Sequence, residues 1–93
     1  MGTRPRFKPE HLPAKLHAIR KRLGLSQSEL VSRIKFDLSP ARISEFEHAV
    51  REPNLLVLLR YSQIAGIHME TLVDDRVTLA QFREALQKRK GSR

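Results

Sequence analysis

Apolar residues recur at three- and four-residue spacing along most of this chain, in short runs separated by polar, glycine- or proline-bearing breaks. Leu12, Leu16, Ile19 and Leu23 share one face of a helix expected over residues 13–23, which opens near Pro13 and closes on Gly24 as a left-handed cap. Ser26, with Glu29 three residues on, is a capping box in which each side chain satisfies a backbone donor of the other residue. A second helix therefore begins at Gln27, buries Leu30, Val31 and Ile34, and ends near Lys35; Phe36, Asp37 and Leu38 make the turn after it. Ser39 caps a third helix whose first residue is Pro40, where the missing N–H costs nothing and the fixed φ already suits a helix. Ile43 and Phe46 form its buried face, and it ends near His48 or Ala49.

Asn54, just after Pro53, caps a fourth helix that runs to about Ala65 and is closed by Gly66. A short fifth helix over residues 68–73 supplies Met69 and Leu72 to the core, and a sixth over 78–90, capped by Thr78, carries the stripe Leu79, Phe82 and Leu86. The pattern predicts an all-α chain in three parts: an extended basic arm over 1–11, where Pro5 and Pro9 interrupt; a compact body over 12–75; and a C-terminal helix with a basic tail over 76–93. Leu55-Leu56-Val57-Leu58-Leu59 is apolar nearly all round, more than one face of a small bundle requires. The sixth helix is the expected cover, either folded back on its own chain or reaching across a dimer interface.

Composition narrows the classes. Ninety-three residues make one small domain with one core. The chain has no cysteine, so neither disulfides nor a zinc finger support it, and no apolar run is long enough to span a membrane or to act as a signal peptide. The expected location is cytoplasmic. The net charge of +8 is concentrated at the two ends: Arg4, Arg6, Lys8, Lys15, Arg20, Lys21 and Arg22 face only Glu10 near the start, and Arg83, Lys88, Arg89, Lys90 and Arg93 face only Glu84 near the end. Such a field attracts a polyanion, because neutralising phosphates releases counterions. Solubilising termini are the plainer explanation of the same charge.

Two short capped helices in succession are what a helix-turn-helix looks like in sequence, with one helix across a DNA backbone and the next placing its N-terminal side chains in the major groove. The string Ile19-Arg20-Lys21-Arg22-Leu23-Gly24-Leu25-Ser26-Gln27-Ser28-Glu29-Leu30 joins Ile43-Ser44-Glu45-Phe46-Glu47, Pro53, Gly66-Ile67 and Leu72 in a further match. Over about residues 15–75, roughly two-thirds of the chain, it resembles the phage-repressor (XRE, Cro/repressor) type of helix-turn-helix domain. The resemblance implies a compact five-helix repressor-type domain, here with an additional C-terminal helix, that binds operator DNA, commonly as a homodimer on a palindrome, and regulates transcription. It places Gln27 on phosphate, Pro40, Ala41, Arg42 and Glu45 toward base edges, and Arg20 with Glu47 as a structural pair beneath the DNA surface. The chain departs from the family pattern in three ways. The second and third helices are joined by about two extra residues. Ala49 stands where glycine is usual. Pro40 and Ala41 replace long polar readers, which leaves direct readout to Arg42 and Glu45.

Each candidate also has a plainer role. Arg42 can grip guanine O6 and N7, or bond Glu45 three residues along the same helix. Glu45 can accept from cytosine N4 or orient Arg42, and Ala41 can meet a thymine methyl or simply permit close approach. Gln27 and Ser28 can donate to phosphate from a helix N-terminus or serve only the cap. Ser39, Arg51 and Asn54 flank the third helix and can clamp the backbone, Arg51 best, since capping alone explains the other two. Arg4, Arg6 and Lys8 can enter a minor groove or form a nonspecific tail. His11, His17, His48 and His68 lack ligand spacing, and Ser44 has no base to activate it, so no metal, cofactor or enzyme activity is expected. The leading expectation is a sequence-specific transcriptional regulator of double-stranded DNA without membrane association. The competing classes are a DNA-binding antitoxin whose terminal helix or basic tail holds a toxin, and a nonspecific binder that uses the basic ends.

Overall fold

In a computed structural model, which describes residues 9–90, the chain forms α1 (Leu12–Leu23), α2 (Gln27–Ile34), α3 (Pro40–Glu47), α4 (Leu55–Ala65), α5 (Met69–Val73) and α6 (Leu79–Lys90). The arm residues Arg4, Arg6 and Lys8 lie outside the described residues. Local capping chemistry sets most of the helix ends. Ser26 Oγ accepts from Glu29 N–H at 3.1 Å while Glu29 Oε1 accepts from Ser26 N–H at 2.7 Å. Thr78 and Gln81 repeat this reciprocal arrangement at the start of α6, and Asn54 Oδ1 accepts from Val57 N–H at the start of α4. Each such cap is worth about 1 kcal/mol. α1 opens differently: His11 gives no side-chain cap, and Asp75 accepts from the Glu10 and His11 amides at 2.8 and 3.1 Å from across the fold.

Three helices end on a left-handed residue that turns the next amide back to a carbonyl five residues earlier. After α1 and α4 these are Gly24 and Gly66, with φ of 69° and 71°; after α3 the position is Ala49, with φ of 62°. Glycine takes this conformation at no steric cost, whereas a β-carbon there costs roughly 1–2 kcal/mol. The alanine at the family's glycine position thus keeps the turn and carries the strain. Lys35, ending α2, is left-handed too, at φ 57°.

The core collects Leu12, Leu16 and Ile19 from α1, Leu30 and Ile34 from α2, Ile43 and Phe46 from α3, Val57, Leu58 and Tyr61 from α4, Leu72 from α5, and Phe82 and Leu86 from α6. The sixth helix folds back on its own chain, yet it packs on α1 rather than covering α4. Leu55, Leu56 and Leu59 consequently stay exposed, against the expectation that α6 would shield them. Lys15 is a second correction. Counted among the surface cations in the sequence, it is fully buried, with Nζ donating to the carbonyls of Thr71 and Asp74 at 3.0 and 2.9 Å and lying 5.6 Å from the Phe82 ring centre. Its spacing within Leu12, Leu16 and Ile19 puts it on the buried face, and the free carbonyls at the end of α5 supply its partners. Burial lowers its pKa, opposed by the nearby carboxylates of Asp75 and Asp74.

The same corner sets an acid response. Hydrogen bonds from the Glu10 and His11 amides lower the pKa of Asp75, and the Arg76 side chain brings that of Asp74 down to about 2. A carboxyl whose pKa is lower folded than unfolded stabilises the fold above its unfolded value, about 4, and loses that contribution as pH falls through the folded value. Melting temperature should therefore fall between about pH 4 and pH 2. Asp75→Asn, by thermal denaturation monitored through circular dichroism, should melt lower at neutral pH and respond less to acid; an unchanged acid response would remove Asp75 from this role.

Candidate nucleic-acid interface

The turn between α2 and α3 runs from left-handed Lys35 through Phe36, Asp37 and Leu38 to Ser39. Phe36 and Leu38 tuck against the core, so the longer connection is anchored rather than looped out. Ser39 Oγ then accepts from Arg42 N–H at 3.2 Å, and Pro40 begins α3 as the sequence predicts. Ser39, Pro40 and Ala41 are all exposed at the tip of the helix. The opening turn of α3 lacks an acidic side chain, which leaves the positive end of its dipole free for an anion.

One turn behind that tip, Glu45 holds two arginines. Arg42 Nε lies 3.2 Å and Arg51 Nε 3.0 Å from the same oxygen, Glu45 Oε1. Arg51 is brought there by the turn at Ala49, where the amides of Val50 and Arg51 both bond the Glu45 carbonyl. About half of each arginine side chain remains in water, 43% for Arg42 and 52% for Arg51. Ion pairs this exposed are worth less than about 1 kcal/mol, so both cations can exchange the carboxylate for another oxygen at little cost. The sequence offered Glu45 as a partner for Arg42; its sharing with Arg51, six residues away through a turn, was not visible there.

The remaining candidates divide by exposure. Gln27 is half-buried and Ser28 exposed on the first turn of α2, and the Ser28 carbonyl also accepts from Ser32 Oγ. Asn54 is exposed, with its side-chain oxygen committed to capping α4. His48 turns back on α3, its Nδ1 lying 2.8 Å from the Ser44 carbonyl. Among the described residues no group of three or more His, Asp or Glu side chains is placed to hold a metal ion. No described helix is long and apolar enough to cross a membrane.

Beneath this surface, Arg20 Nε donates to Glu47 Oε2 at 2.7 Å and Nη2 to Oε1 at 3.0 Å, while Nη1 donates to the Leu25 carbonyl at 3.1 Å. One guanidinium therefore joins the end of α1, the loop before α2 and the last residue of α3. Glu47 keeps only 3% of its side-chain exposure and Arg20 15%. The hydrogen bonds to Glu47 raise the Arg20 pKa against the effect of burial. Tyr61 is fully buried close by, its hydroxyl without a partner among the described residues, and burial raises its pKa. Arg20→Ala strands the more deeply buried charge and should cost about 3–5 kcal/mol of stability, with Glu47→Ala costing less because Arg20 can reach water. In urea denaturation the double variant should lose less than the sum of the single losses; strict additivity would show that the pair is not an energetic unit.

Comparison with known proteins adds one match. The helix-turn-helix family model covers residues 16–72, which run from Leu16 in α1 to Leu72 in α5 and enclose both the capped pair and the Arg20–Glu47 tie. No curated protein and no solved structure matches the chain. With more than half of the sequence inside that match and the recognition pair folded as such a pair requires, the chain belongs to the phage-repressor-like helix-turn-helix family of DNA-binding domains.

Proposed function

We propose that this protein is a sequence-specific transcriptional regulator that docks α3 in the major groove of duplex DNA and fixes α2 and the loop after α3 on phosphates. The observation that carries the reading is the tip of α3. It is narrow, exposed and free of acidic side chains over Ser39, Pro40 and Ala41, with Arg42 behind it held ready by Glu45. The small tip allows close approach to the base edges, and Arg42 is the side chain with reach and donors to read guanine. Glu45 serves as an internal counter-anion that keeps Arg42 and Arg51 extended until DNA oxygens replace it. Gln27, Ser28, Arg51 and the free face of Asn54 contribute phosphate contacts that set register without reading sequence.

The DNA-bound form is a homodimer. Val50, Leu55, Leu56 and Leu59 are exposed at the loop after α3 and the start of α4, with Val50 and Leu55 retaining 71% and 73% of their surface. This apolar surface has no use against a phosphate backbone and suits a second copy. Four side chains make a smaller interface than the roughly 800 Å2 per partner of a stable complex, so the copies meet on DNA. Regulation by toxin binding through the apolar stripe of α6 is disfavoured, because Phe82 and Leu86 are used in the chain's own core.

Selection of bound duplexes from a random pool tests both statements. The expected product is a palindromic motif; Arg42→Ala should lose information at one position per half-site, a change of about 1–3 kcal/mol in discrimination. Leu59→Asp should retain the half-site and lose the palindrome. Recovery of no motif at moderate salt would refute sequence-specific regulation.

A further inference from the structure

The seam between α1 and α6 carries a feature that DNA binding leaves unused. Two adjoining hollows of about 390 and 380 Å3 lie along it, and Arg22 and Leu86 wall both. One continues over Leu23, Ile64 and Ala65 and is floored by apolar side chains; the other is rimmed by Lys21 and Arg83. Among the described residues no carboxylate lines either hollow. Arg22, which walls both, has its Nε covered and without an acceptor among the described residues. A charged donor in that condition is costly, and native folds supply such groups with a partner.

The direction of the seam matters as much as its chemistry. Residues two apart on a helix are rotated by roughly 200°, so Arg22 faces away from the side on which Arg20 meets α3. An occupant of the seam would leave the DNA-facing surface clear. Its apolar floor has no counterpart on a nucleic acid backbone, whereas a peptide can set a carboxylate among Lys21, Arg22 and Arg83 and apolar side chains over Leu23 and Ile64. We propose that the α1–α6 seam is a docking groove for a short acidic amphipathic segment of a protein partner, recognised by Arg22, Lys21 and Arg83 through charge and by Leu23 and Ile64 through apolar contact.

A fluorescein-labelled peptide of about 14 residues, long enough for roughly four helical turns of alternating glutamate and leucine pairs, serves as the probe. It is titrated with the full chain at about 0.15 M salt, where long-range attraction is screened. Saturable binding is expected, weakened roughly tenfold when glutamine replaces glutamate or alanine replaces leucine in the peptide. Lys21→Glu with Arg83→Glu, both at exposed positions, should weaken it by a further factor of about ten. In the unaltered chain, amide shifts on peptide addition should centre on Ala18, Arg83 and Leu86, which reports on the seam even if the double variant folds poorly. Absence of saturation, equal binding of the alanine peptide, shifts centred on α3, or displacement of the peptide by duplex DNA would each overturn the proposal. DNA binding is read separately on the same samples, so its failure and the failure of the groove are distinguishable.

Discussion

The bidentate pair between Arg20 and Glu47 fixes where α3 points, and the surface that α3 presents depends on it. A helix of eight residues does not hold itself in water, and α3 buries only Ile43 and Phe46. Two apolar anchors place such a helix but leave it free to rock. Glu47 is the last residue of α3, where the helix dipole disfavours a negative charge, and Arg20 answers that charge with two hydrogen bonds while a third reaches the loop before α2. Burying the pair costs much of what its attraction returns, so its contribution is to orientation more than to net stability. With the C-terminal end of α3 tied down, the tip formed by Ser39, Pro40 and Ala41 is presented at a set angle.

Charge is organised around that rigid centre. Glu45 sits on the outer face of α3 between Arg42 and Arg51 and holds both without burying either. The contrast between the two glutamates, two residues apart on one helix, separates their roles. Glu47 is sealed from solvent and cannot trade partners, whereas Glu45 keeps 36% of its side-chain exposure and can release its arginines to another acceptor. Lys15 shows that part of the basic composition serves the fold itself, since its ammonium closes the open carbonyls after α5 rather than adding to the surface field. The seam lined by Lys21, Arg22 and Arg83 is a separate cationic surface, on the side of α1 away from the Arg20–Glu47 pair.

What could be read from the sequence follows how local each interaction is. The capping box at Ser26 and Glu29, the Ser39–Pro40 start and the glycine closures join residues within a few positions, and residue type alone betrays them. The Arg20–Glu47 pair spans 27 positions, and only its resemblance to a family pattern revealed it. Asp75 at the start of α1 spans more than 60 and left no signal in the sequence. Lys15 was legible in principle, because it shares the face of Leu12, Leu16 and Ile19, but a lysine is counted as exposed unless a partner is known. The apolar stripe on α6 predicted burial correctly without saying against which helix, and the surplus on α4 misdirected that choice. Ala49 carried its own warning: the turn there needs a left-handed residue, and the chain supplies one at the cost of strain.

The most direct measurement is an amide-shift titration of the full chain with its selected duplex, in which every backbone N–H reports its own surroundings. If α3 is the reading head, the largest changes fall on Ser39, Ala41, Arg42 and Arg51, with smaller ones on Gln27 and Ser28, and Glu47 moves little because its partner holds it. Changes confined to the basic ends of the chain, with α3 silent, would contradict that placement.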